Sequence, residues 1–308
     1  MNAEQFIQQQ IRAGFTIHQN QGVWWQRTSP CYCKPVLPFQ ELVPGEASPK
    51  TYKALFAYTH IVPRDDLANR RLGLMLLSEE RLRGYCLEAL PYEKRKAIRK
   101  AQRGGLLARR IDDVKAVMDD LREICISTAK RTGYGRPPDY YVKHQDEWRT
   151  FMRRTFSLEG REWWGVFTGG RLVAYLYGYL VEDTMILDST KFHTDFLSDR
   201  PSDLLHFTVL EHCRELRECR RVSAGNWVPD VTSINRFKET HGFEKINLPV
   251  YSRYNQAVQQ VVRAILASRR IRVFDAAAST SAPSGGPVMR AYRALVQRAE
   301  RMSTLEAK

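Results

Sequence analysis

The order of the elements predicted between Arg161 and Tyr254 constrains the fold of this chain more than any other feature. The apolar runs Arg161–Thr168 and Leu172–Val181 flank a Gly-Gly turn, which predicts a β-hairpin. The later segments alternate in type: a strand at Thr184–His193, a helix over Leu204–Leu216, a strand at Arg221–Ala224, a short helix within Asp230–Gly242 and a strand at Phe243–Tyr254. We therefore expect this stretch to fold as one unit of strands and helices.

The composition is that of a globular chain and argues against several other classes. With 308 residues, of which 43% are apolar, the chain can form one large domain or two small ones and is not predicted to be disordered. It has no apolar run of the roughly 18 residues that a membrane-spanning helix needs. The polar, Gln-rich start at Met1–Arg12 lacks the apolar core of a secretory signal, so we expect a cytoplasmic protein.

The six cysteines predict neither a zinc site nor a disulfide framework. Only Cys31 and Cys33 lie close together, and no second pair follows at metal-ligand spacing. Because the expected compartment is reducing, disulfides are not predicted either.

The net charge of +14 is concentrated in two segments. Pro91–Arg110 holds eight Lys or Arg against one Glu, and Gln256–Lys308 holds nine Lys or Arg against three acids. Such segments attract the phosphates of a nucleic acid, an anionic membrane or a nucleotide cofactor. A helix is predicted at Glu93–Arg103, and five of its cations share one arc: Arg95, Lys96, Arg99, Lys100 and Arg103. This arc is either a solvated helix face or a phosphate-binding surface.

The remaining segments predict secondary structure but offer no candidate functional residues. They are strands at Tyr52–Val62 and Gly84–Leu90, a strand or helix at Leu72–Leu77, helices at Asp112–Arg131 and Tyr140–Ser157, a linker at Ala276–Pro287 and a terminal helix at Val288–Arg301. Residues 1–50 carry five prolines and predict short extended segments joined by turns.

Three segments, taken in order, carry a family resemblance. They are the basic run Leu90–Ala101, the hairpin Trp163–Val181 and the segment Ser233–Phe243, which reads SINRFKETHGF. In the third segment a short helix containing Asn235 and Lys238 stops at Gly242 and leads into a strand. Over roughly residues 90–255 the chain thus resembles the acyl-CoA N-acyltransferase (GNAT) superfamily, in its FemAB-like branch.

The resemblance implies an α/β (α+β) fold with a mixed, twisted GNAT-type sheet flanked by helices. It implies that residues 1–90 form a second, degenerate GNAT-like half and that residues 91–255 form the GNAT-like catalytic domain. Residues 256–308 then form a basic helical C-terminal extension with the linker at 276–287.

The chain departs from the family pattern at the place where a pyrophosphate is usually bound. The segment Thr194–Asp203 stands where GNAT proteins carry a Gly-rich loop, and it contains no glycine. The start of the following helix can still hold phosphate through Arg200 and Ser202. The resemblance implies acyl-CoA as the donor substrate, with aminoacyl-tRNA as the alternative, because FemAB-like enzymes that use charged tRNA also lack the loop. No metal is implied.

The hairpin supplies candidates for acceptor binding. Because side chains alternate across a strand, Tyr175, Tyr177 and Tyr179 share one face of Leu172–Val181. The face is either an aromatic core under a helix or a tyrosine-lined groove, in which Tyr175 and Tyr177 would bind the substrate.

The third strand supplies candidates for proton transfer. A charged Asp188 within an apolar strand is costly to bury, so it is a candidate catalytic base, with a structural salt bridge as the alternative. We expect Asp188 on one face with Thr190 and Phe192, and Lys191 on the other with Met185, Leu187, Ser189 and His193. His193 is a second candidate base, and Lys191 is a candidate for binding a phosphate or carboxylate of the substrate.

The last part of the unit supplies candidates for donor contact. Asn226 follows a strand at the point where, in the GNAT fold, two parallel strands separate, and it is a substrate-binding candidate. Asn235 and Lys238 match the positions of the family's donor-binding helix. Tyr251 and Tyr254 are candidates for the acid that protonates the leaving group, and Tyr254 is the one we predict.

The function predicted from these residues is N-acyl transfer. An acyl or aminoacyl group moves from a coenzyme A thioester or charged tRNA to an amine, such as a small molecule or a cell-envelope precursor. The basic helix 93–103 is then a site of tRNA contact, and the C-terminal segment a site of peripheral membrane contact. The alternative is a catalytically inactive GNAT-fold protein that binds RNA or DNA through its basic segments.

Overall fold

The chain divides into two compact units in the computed structural model. The structure describes residues 1–29, 32–49, 57–133, 136–228 and 232–254, and the helices and linker predicted after Tyr254 lie outside this set. Unit 1 comprises Met1–Phe6 and Leu74–Ile246, and unit 2 comprises Ile7–Gly73 and the chain from Asn247. These bounds differ from the predicted division after residue 90. The chain enters unit 1 within the strand at residues 70–77 and leaves it within the strand at residues 244–254.

Helices and strands are interspersed along the described part of the chain. The α-helices are α1 (Ala3–Arg12), α2 (Glu79–Arg83), α3 (Tyr92–Arg103), α4 (Met118–Thr132), α5 (Tyr140–Lys143), α6 (Gln145–Phe156), α7 (Pro201–Glu215) and α8 (Thr232–Thr240). The strands are β1 (Ile17–Asn20), β2 (Val23–Ser29), β3 (Tyr32–Pro35), β4 (Ala57–Ile61), β5 (Arg70–Leu77), β6 (Leu107–Arg110), β7 (Arg161–Thr168), β8 (Arg171–Val181), β9 (Thr184–Phe192), β10 (Arg221–Asn226) and β11 (Glu244–Tyr254). Short 3-10 helices occupy Asp65–Leu67 and Thr194–Asp199.

Unit 1 contains a mixed sheet with helices on both faces, as the resemblance implied. Its strand order is β5-β10-β9-β8-β7-β6, in which β10 and β9 are parallel and the other neighbours are antiparallel. From Ala174 to Tyr177, successive residues of β8 belong to different cores. Ala174 and Leu176 pack with residues of α7, whereas Tyr175 and Tyr177 pack with residues of α4. The predicted sharing of one face by the tyrosines is therefore confirmed for these two.

Unit 2 contains a smaller sheet. Its strand order is β1-β2-β3-β4-β11, with β3 and β4 parallel and the other neighbours antiparallel. The side chains of Trp25, Cys33 and Tyr58 are the centre of its core. Its origin as a degenerate GNAT-like half remains a prediction.

The two central parallel strands of unit 1 separate part-way along their length. β10 pairs with β9 only from Arg221 with Thr184 to Ser223 with Ile186. Beyond that point β9 continues to Phe192 along β8, and β10 continues to Asn226 along β5. A bulge at Gly225, whose φ is +75°, turns the end of β10. A gap therefore opens between residues 187–192 of β9 and the end of β10, as expected for this fold.

Local hydrogen bonding explains where the helix and strand predictions were wrong. Gly84–Leu90 is a series of turns because the amides of Ala89 and Leu90 donate to carbonyls three residues back. The helix predicted from Asp112 begins at Met118, because the Asp113 carboxylate accepts the amide of Lys115 and holds a turn there. The helix predicted at Tyr140–Ser157 is broken at His144, whose backbone leaves the helical region.

A helix at the chain start was not predicted from the sequence. The polar segment forms α1, and among the described residues no helix combines the length and apolar character needed to cross a bilayer.

Candidate active site

A cavity of about 630 Å³ lies between the α4–α6 helices and the β8–β9 hairpin of unit 1. Its floor is formed by Tyr175 and Tyr177 of β8 and by their partners across the ladder, Lys191 and Ser189 of β9. Directly opposed residues of an antiparallel pair point to the same face of the sheet. The ladder register therefore brings together three predicted substrate-binding residues: Tyr175, Tyr177 and Lys191.

The walls of the cavity are aromatic and its rim is charged. The aromatic walls are completed by Tyr140, Tyr141, Trp148 and Phe151, and the charged groups other than Lys191 are Arg136, Asp146, Glu147 and Arg154. These four rim charges balance in sign. Aromatic walls with few polar groups are typical of small-molecule sites.

The tyrosine hydroxyls on the cavity floor remain protonated. Burial of the Tyr175 ring raises its pKa well above the ordinary value, and its hydroxyl lies 3.4 Å from the Cys125 Sγ atom. Burial also raises the pKa of Tyr177 and of Tyr179, and the nearby negative charge of Asp188 raises both further. These phenols can therefore donate hydrogen bonds at neutral pH.

Lys191 places a positive charge on the cavity floor. Its Nζ atom donates to the Cys125 Sγ atom at 3.5 Å and also forms a hydrogen bond with the Tyr141 hydroxyl. Burial acts to lower its pKa, but these two groups outweigh burial and the pKa of Lys191 is raised. Lys191 is therefore an ammonium ion at neutral pH.

Asp188 occupies a β-bulge and is exposed, so the premise that its carboxylate is buried was wrong. Tyr177 pairs with Ser189 and Gly178 pairs with Leu187, which leaves Asp188 as the extra residue. The bulge also changes the alternation along β9. Leu187 packs with the core on the α7 face, whereas Lys191 lines the cavity on the α4 face. The predicted grouping of Leu187 and Met185 with Ser189 and Lys191 on one face was therefore wrong.

Gly178 permits this bulge because no side chain fits at that position. A Cβ atom on Gly178 would lie 2.6 Å from the carbonyl oxygen of Ile186. β8 and β9 therefore approach closely where Asp188 is extruded, and the Asp188 carboxylate comes near the Tyr177 and Tyr179 hydroxyls.

His193 lies at the end of β9 and caps the 3-10 helix at Thr194–Asp199. Its Nδ1 atom accepts the amide of Asp195 at 3.3 Å, and its ring packs edge-on against Phe196. Because Nδ1 is used by the cap, only Nε2 remains for proton transfer at His193.

The N-terminus of α7 has little capacity for a phosphate group. Arg200 adopts a left-handed conformation with φ of +62°, and its carbonyl accepts the amides of Asp203 and Leu204. Pro201 has no amide hydrogen, so in the first turn only Ser202 is left to donate to a ligand. The carbonyl of Ser202 accepts a hydrogen bond from the His206 ring.

A buried ionic cluster lies directly behind this helix start. The Asp203 carboxylate, only 4% exposed, forms an ion pair with the Lys94 ammonium of α3, and the His241 ring at the end of α8 donates to it at 3.4 Å. The Tyr85 hydroxyl donates to the other ring nitrogen of His241 at 3.2 Å. Lys94 also lies over the Phe237 ring at 4.1 Å.

The cluster fixes the charge states of its members. Burial acts to raise the pKa of Asp203, but hydrogen bonds from His241 and Lys94 outweigh it and hold the pKa at about 2. Burial lowers the pKa of His241 and lowers that of His206 to about 3, so both rings are neutral. An anion is therefore already present at the start of α7.

Sequence reasoning missed this cluster, although one signal was available. Lys94 is spaced four and seven residues from Ile98 and Ala101, the two fully buried residues of α3. A lysine in register with an apolar helix face indicates a buried partner.

The predicted donor-contact residues lie together at the end of β10. Lys238 of α8 donates to the carbonyl of Asn226 at 3.0 Å, and burial lowers the Lys238 pKa to about 8. The buried Asn235 amide donates to and accepts from the backbone of Val228, at 2.6 and 3.1 Å. Asn235 thereby fixes the turn that follows Asn226, which makes it a positioning residue in this structure.

Tyr254 belongs to a different unit from the other predicted site residues. It is the last residue of β11, opposite Ala57, and belongs to unit 2 together with Tyr251. Among the described residues, no group of three or more His, Cys, Asp or Glu side chains is arranged to hold a metal ion.

A mixed sheet with separating parallel strands, and a cavity beside the separation, defines a GNAT-type transferase domain. The family model for an acetyltransferase (GNAT) domain matches residues 92–239, so this part of the chain is a GNAT domain. The solved structures that the chain resembles, FemX among them, share this fold. No curated protein matches the chain in sequence.

Three solved structures illustrate the similarity in fold. FemX is 10% identical, with a TM-score of 0.56 over 83% of this chain and 92% of FemX. A conserved protein of unknown function from Bacteroides thetaiotaomicron is 11% identical, with a TM-score of 0.52 over 80% of this chain and 88% of that one. The C-terminal domain of a protein described as a lysylphosphatidylglycerol synthetase, from Agrobacterium fabrum, is 13% identical, with a TM-score of 0.50 over 87% and 94%.

Proposed function

We propose that this protein is an N-acyltransferase that moves an acyl or aminoacyl group from an activated donor to an amine. One observation carries the proposal: residues 187–192 of β9 border the gap next to β10 and also contribute the cavity floor beside β8. A donor carbonyl that enters through the gap and an acceptor that enters the cavity would therefore meet at one strand. This convergence supplies the proximity that acyl transfer requires.

Lys238 is the proposed acid for the leaving group. Its ammonium lies at the gap, and because its pKa is about 8 it is protonated at neutral pH yet gives up a proton readily. Such a group can stabilise the developing oxyanion and then protonate the leaving oxygen or sulfur. The carbonyl of Asn226 keeps the ammonium in place.

Asp188 is the proposed base for the acceptor amine. It is exposed at the bulge and lies near the Tyr177 and Tyr179 hydroxyls, which can orient an amine beside it. His193 is the second candidate, through its Nε2 atom. We leave Tyr254 out of the proposed machinery because it belongs to unit 2.

The start of α7 favours aminoacyl-tRNA over coenzyme A as the donor. A coenzyme A pyrophosphate bound there would meet one unused amide, at Ser202, and the buried carboxylate of Asp203. A single amide gives a pyrophosphate little stabilisation there, since the Lys94 ammonium behind the helix start is already paired with Asp203. Arg200 and Ser202 are therefore proposed only as weak phosphate contacts, available to a donor held mainly elsewhere.

The exposed face of α3 offers that other attachment. Lys96, Arg99, Lys100 and Arg103 are exposed on it, while Ile98 and Ala101 are buried, as the predicted arc requires. A row of cations along one helix face fits the phosphates of an RNA backbone. The name of the Agrobacterium fabrum protein, a lysylphosphatidylglycerol synthetase, is consistent with aminoacyl transfer on this fold.

The direct test uses hydroxylamine as a generic amine acceptor. The full chain is incubated with a mixture of radiolabelled aminoacyl-tRNAs, or with acetyl-CoA and a long-chain acyl-CoA, and enzyme-dependent loss of the acyl bond is measured. We expect discharge of at least one aminoacyl-tRNA and little from either thioester. The Lys238→Met variant should lose the discharge of aminoacyl-tRNA, and the exposed Lys130→Met variant should retain it.

The exposed cations also favour a second function, RNA binding without catalysis. In that case tRNA binds with a steep salt dependence while every donor stays intact. Thioester cleavage without tRNA discharge would instead identify coenzyme A as the carrier, and would overturn the donor assignment while leaving the transferase class in place.

A further inference from the structure

The charge of Lys191 is not compensated inside the cavity. Its Nζ atom contacts the Cys125 Sγ atom and the Tyr141 hydroxyl, and burial raises the pKa of Tyr141, so that hydroxyl carries no charge at pH 7. Among the residues that the structure describes, no carboxylate oxygen lies within 4.0 Å of the Lys191 Nζ atom, the distance limit for an ion pair. A largely buried cation without a counter-ion is unfavourable unless a ligand supplies one.

The surroundings of Lys191 are built to receive a ligand. The ammonium faces an open cavity, and Tyr175 and Tyr177 lie beside it on the floor. The Tyr175 ring is fully buried and its hydroxyl contacts Cys125, while Tyr177 is hydrogen-bonded to Ser189, so the floor is rigid. The rim charges balance, which leaves Lys191 as the net charge of the cavity.

We propose that the cavity selects an acceptor with an anionic group, a carboxylate or a phosphate, which pairs with the Lys191 ammonium while the rest of the acceptor lies against the aromatic walls. That the ligand is the acceptor rests on the proposed transferase function, but the anion site itself does not. The acceptor class is then an amine with an acid group, such as an amino acid, a peptide end or a phosphorylated amino compound.

The position of Lys191 along β9 adds a constraint on this acceptor. Asp188, the proposed base, precedes Lys191 by three residues on the same strand. The Asp188 charge lies near the Tyr177 hydroxyl, and Tyr177 lies on the cavity floor together with Lys191. The acceptor must therefore present its amine to the Asp188 carboxylate while its anionic group reaches the Lys191 ammonium.

The experiment measures binding of simple probes and needs neither donor nor turnover. Quenching of tryptophan fluorescence reports occupancy, because Trp148 lines the cavity. The probes are 3-phenylpropionate, its uncharged analogue 3-phenylpropanamide, and phenyl phosphate. We expect the wild-type protein to bind one of the two anions about tenfold or more tightly than the amide. Which anion binds better distinguishes a carboxylate from a phosphate.

Variants assign the preference to Lys191. Lys191→Met should bind the anion and the amide within about twofold of each other, Lys191→Arg should keep the preference, and the exposed Lys130→Met should behave as wild type. Circular dichroism confirms that each variant is folded. Equal binding of anion and amide by the wild type, or an intact preference in Lys191→Met, would overturn the inference. If the wild-type protein prefers the anion but transfers no acyl group from any donor, the result would instead count against the proposed function.

Discussion

The carboxylate of Asp203, in the first turn of α7, is paired with the ammonium of Lys94 on α3. The two side chains are 4% and 13% exposed, so the pair is shielded from water. An acidic side chain in the first turn of a helix is favoured by the helix dipole, which adds to the stabilisation of the Asp203 carboxylate.

Removal of the Lys94 charge should destabilise the protein severely. Lys94→Met leaves the Asp203 carboxylate buried without its cation, at an expected cost of about 3–5 kcal/mol in the free energy of unfolding. Urea unfolding of Lys96→Met, an exposed position on the same helix, should show a change within about 0.5 kcal/mol. The double variant Lys94→Met/Asp203→Leu should recover most of the loss, and a single variant as stable as wild type would contradict the ion pair.

The neutral rings of His206, on α7, and His241, after α8, should make the protein sensitive to acid. The pKa of His206 is about 3 in the folded state, below the ordinary value near 6.5, so the unfolded chain binds the proton more readily. Stability should therefore fall as pH falls below about 6.5, by up to about 1.4 kcal/mol per pH unit for this one group. The lowered pKa of His241 acts in the same direction.

Asp203 extends this acid sensitivity to lower pH. Its folded pKa of about 2 lies below the ordinary carboxyl value of about 3.9. Its contribution is therefore present above pH 4 and is lost between about pH 4 and 2. Denaturant titrations between pH 7 and 5 should show that the free energy of unfolding of His206→Gln depends less steeply on pH than that of wild type.

The pH dependence of turnover should identify Lys238 as the acid. Because the protonated form is the proposed donor of the proton, the rate of donor discharge should fall as pH rises through about 8. Lys238→Met should lower the rate by about 100-fold or more. A wild-type rate that is flat between pH 7 and 9.5, with chemistry shown to be rate-limiting, would exclude this role.

The cations of α3 should determine the salt dependence of tRNA binding. Replacement of Lys96, Arg99 and Arg103 by Gln should reduce the slope of log K against log salt by about 2–3. Three exposed cations elsewhere, Lys115, Lys130 and Arg153, provide a matched control of equal charge change. An equal loss of slope in both triple variants would show that net charge, and not this helix face, attracts the RNA.

The close approach of β8 and β9 should make Gly178 intolerant of any side chain. Gly178→Ala places a Cβ atom 2.6 Å from the carbonyl oxygen of Ile186, so the strands must separate at an expected cost of about 1–3 kcal/mol. Gly84→Ala is the control, because its Cβ atom would come no closer than 3.7 Å to any neighbour. The midpoint of urea unfolding should be lower for Gly178→Ala than for Gly84→Ala.

The sequence was sufficient for the fold of residues 161–254 but not for the site. The hairpin β7–β8, the strand β9 and the helix α8 were predicted within a few residues, because apolar periodicity and glycine turns encode them locally. The face of Lys191 was assigned correctly relative to Ser189 and wrongly relative to Leu187. Nothing in the local pattern of β9 indicated a bulge, since its cause, the approach of Gly178 to Ile186, lies on the neighbouring strand.

The other features of the site that the sequence did not predict depend on contacts between residues far apart in the chain. The pairing of Lys94 with Asp203 joins residues 109 positions apart, and no local pattern specifies such a contact. The separation of β9 from β10 was expected only because of the family resemblance, and the lowered pKa of Lys238 could not be foreseen without its burial.

The bulge on β9 means that Asp188 contributes nothing to the pairing of the sheet. If this single residue were excised, Leu187 and Ser189 would become consecutive and would still oppose Gly178 and Tyr177 in a regular ladder. The cavity floor would keep its register after the deletion, while the carboxylate and its interactions would be lost. A chemical group is thus carried on a removable insertion, so its gain or loss in a lineage needs no rebuilding of the scaffold.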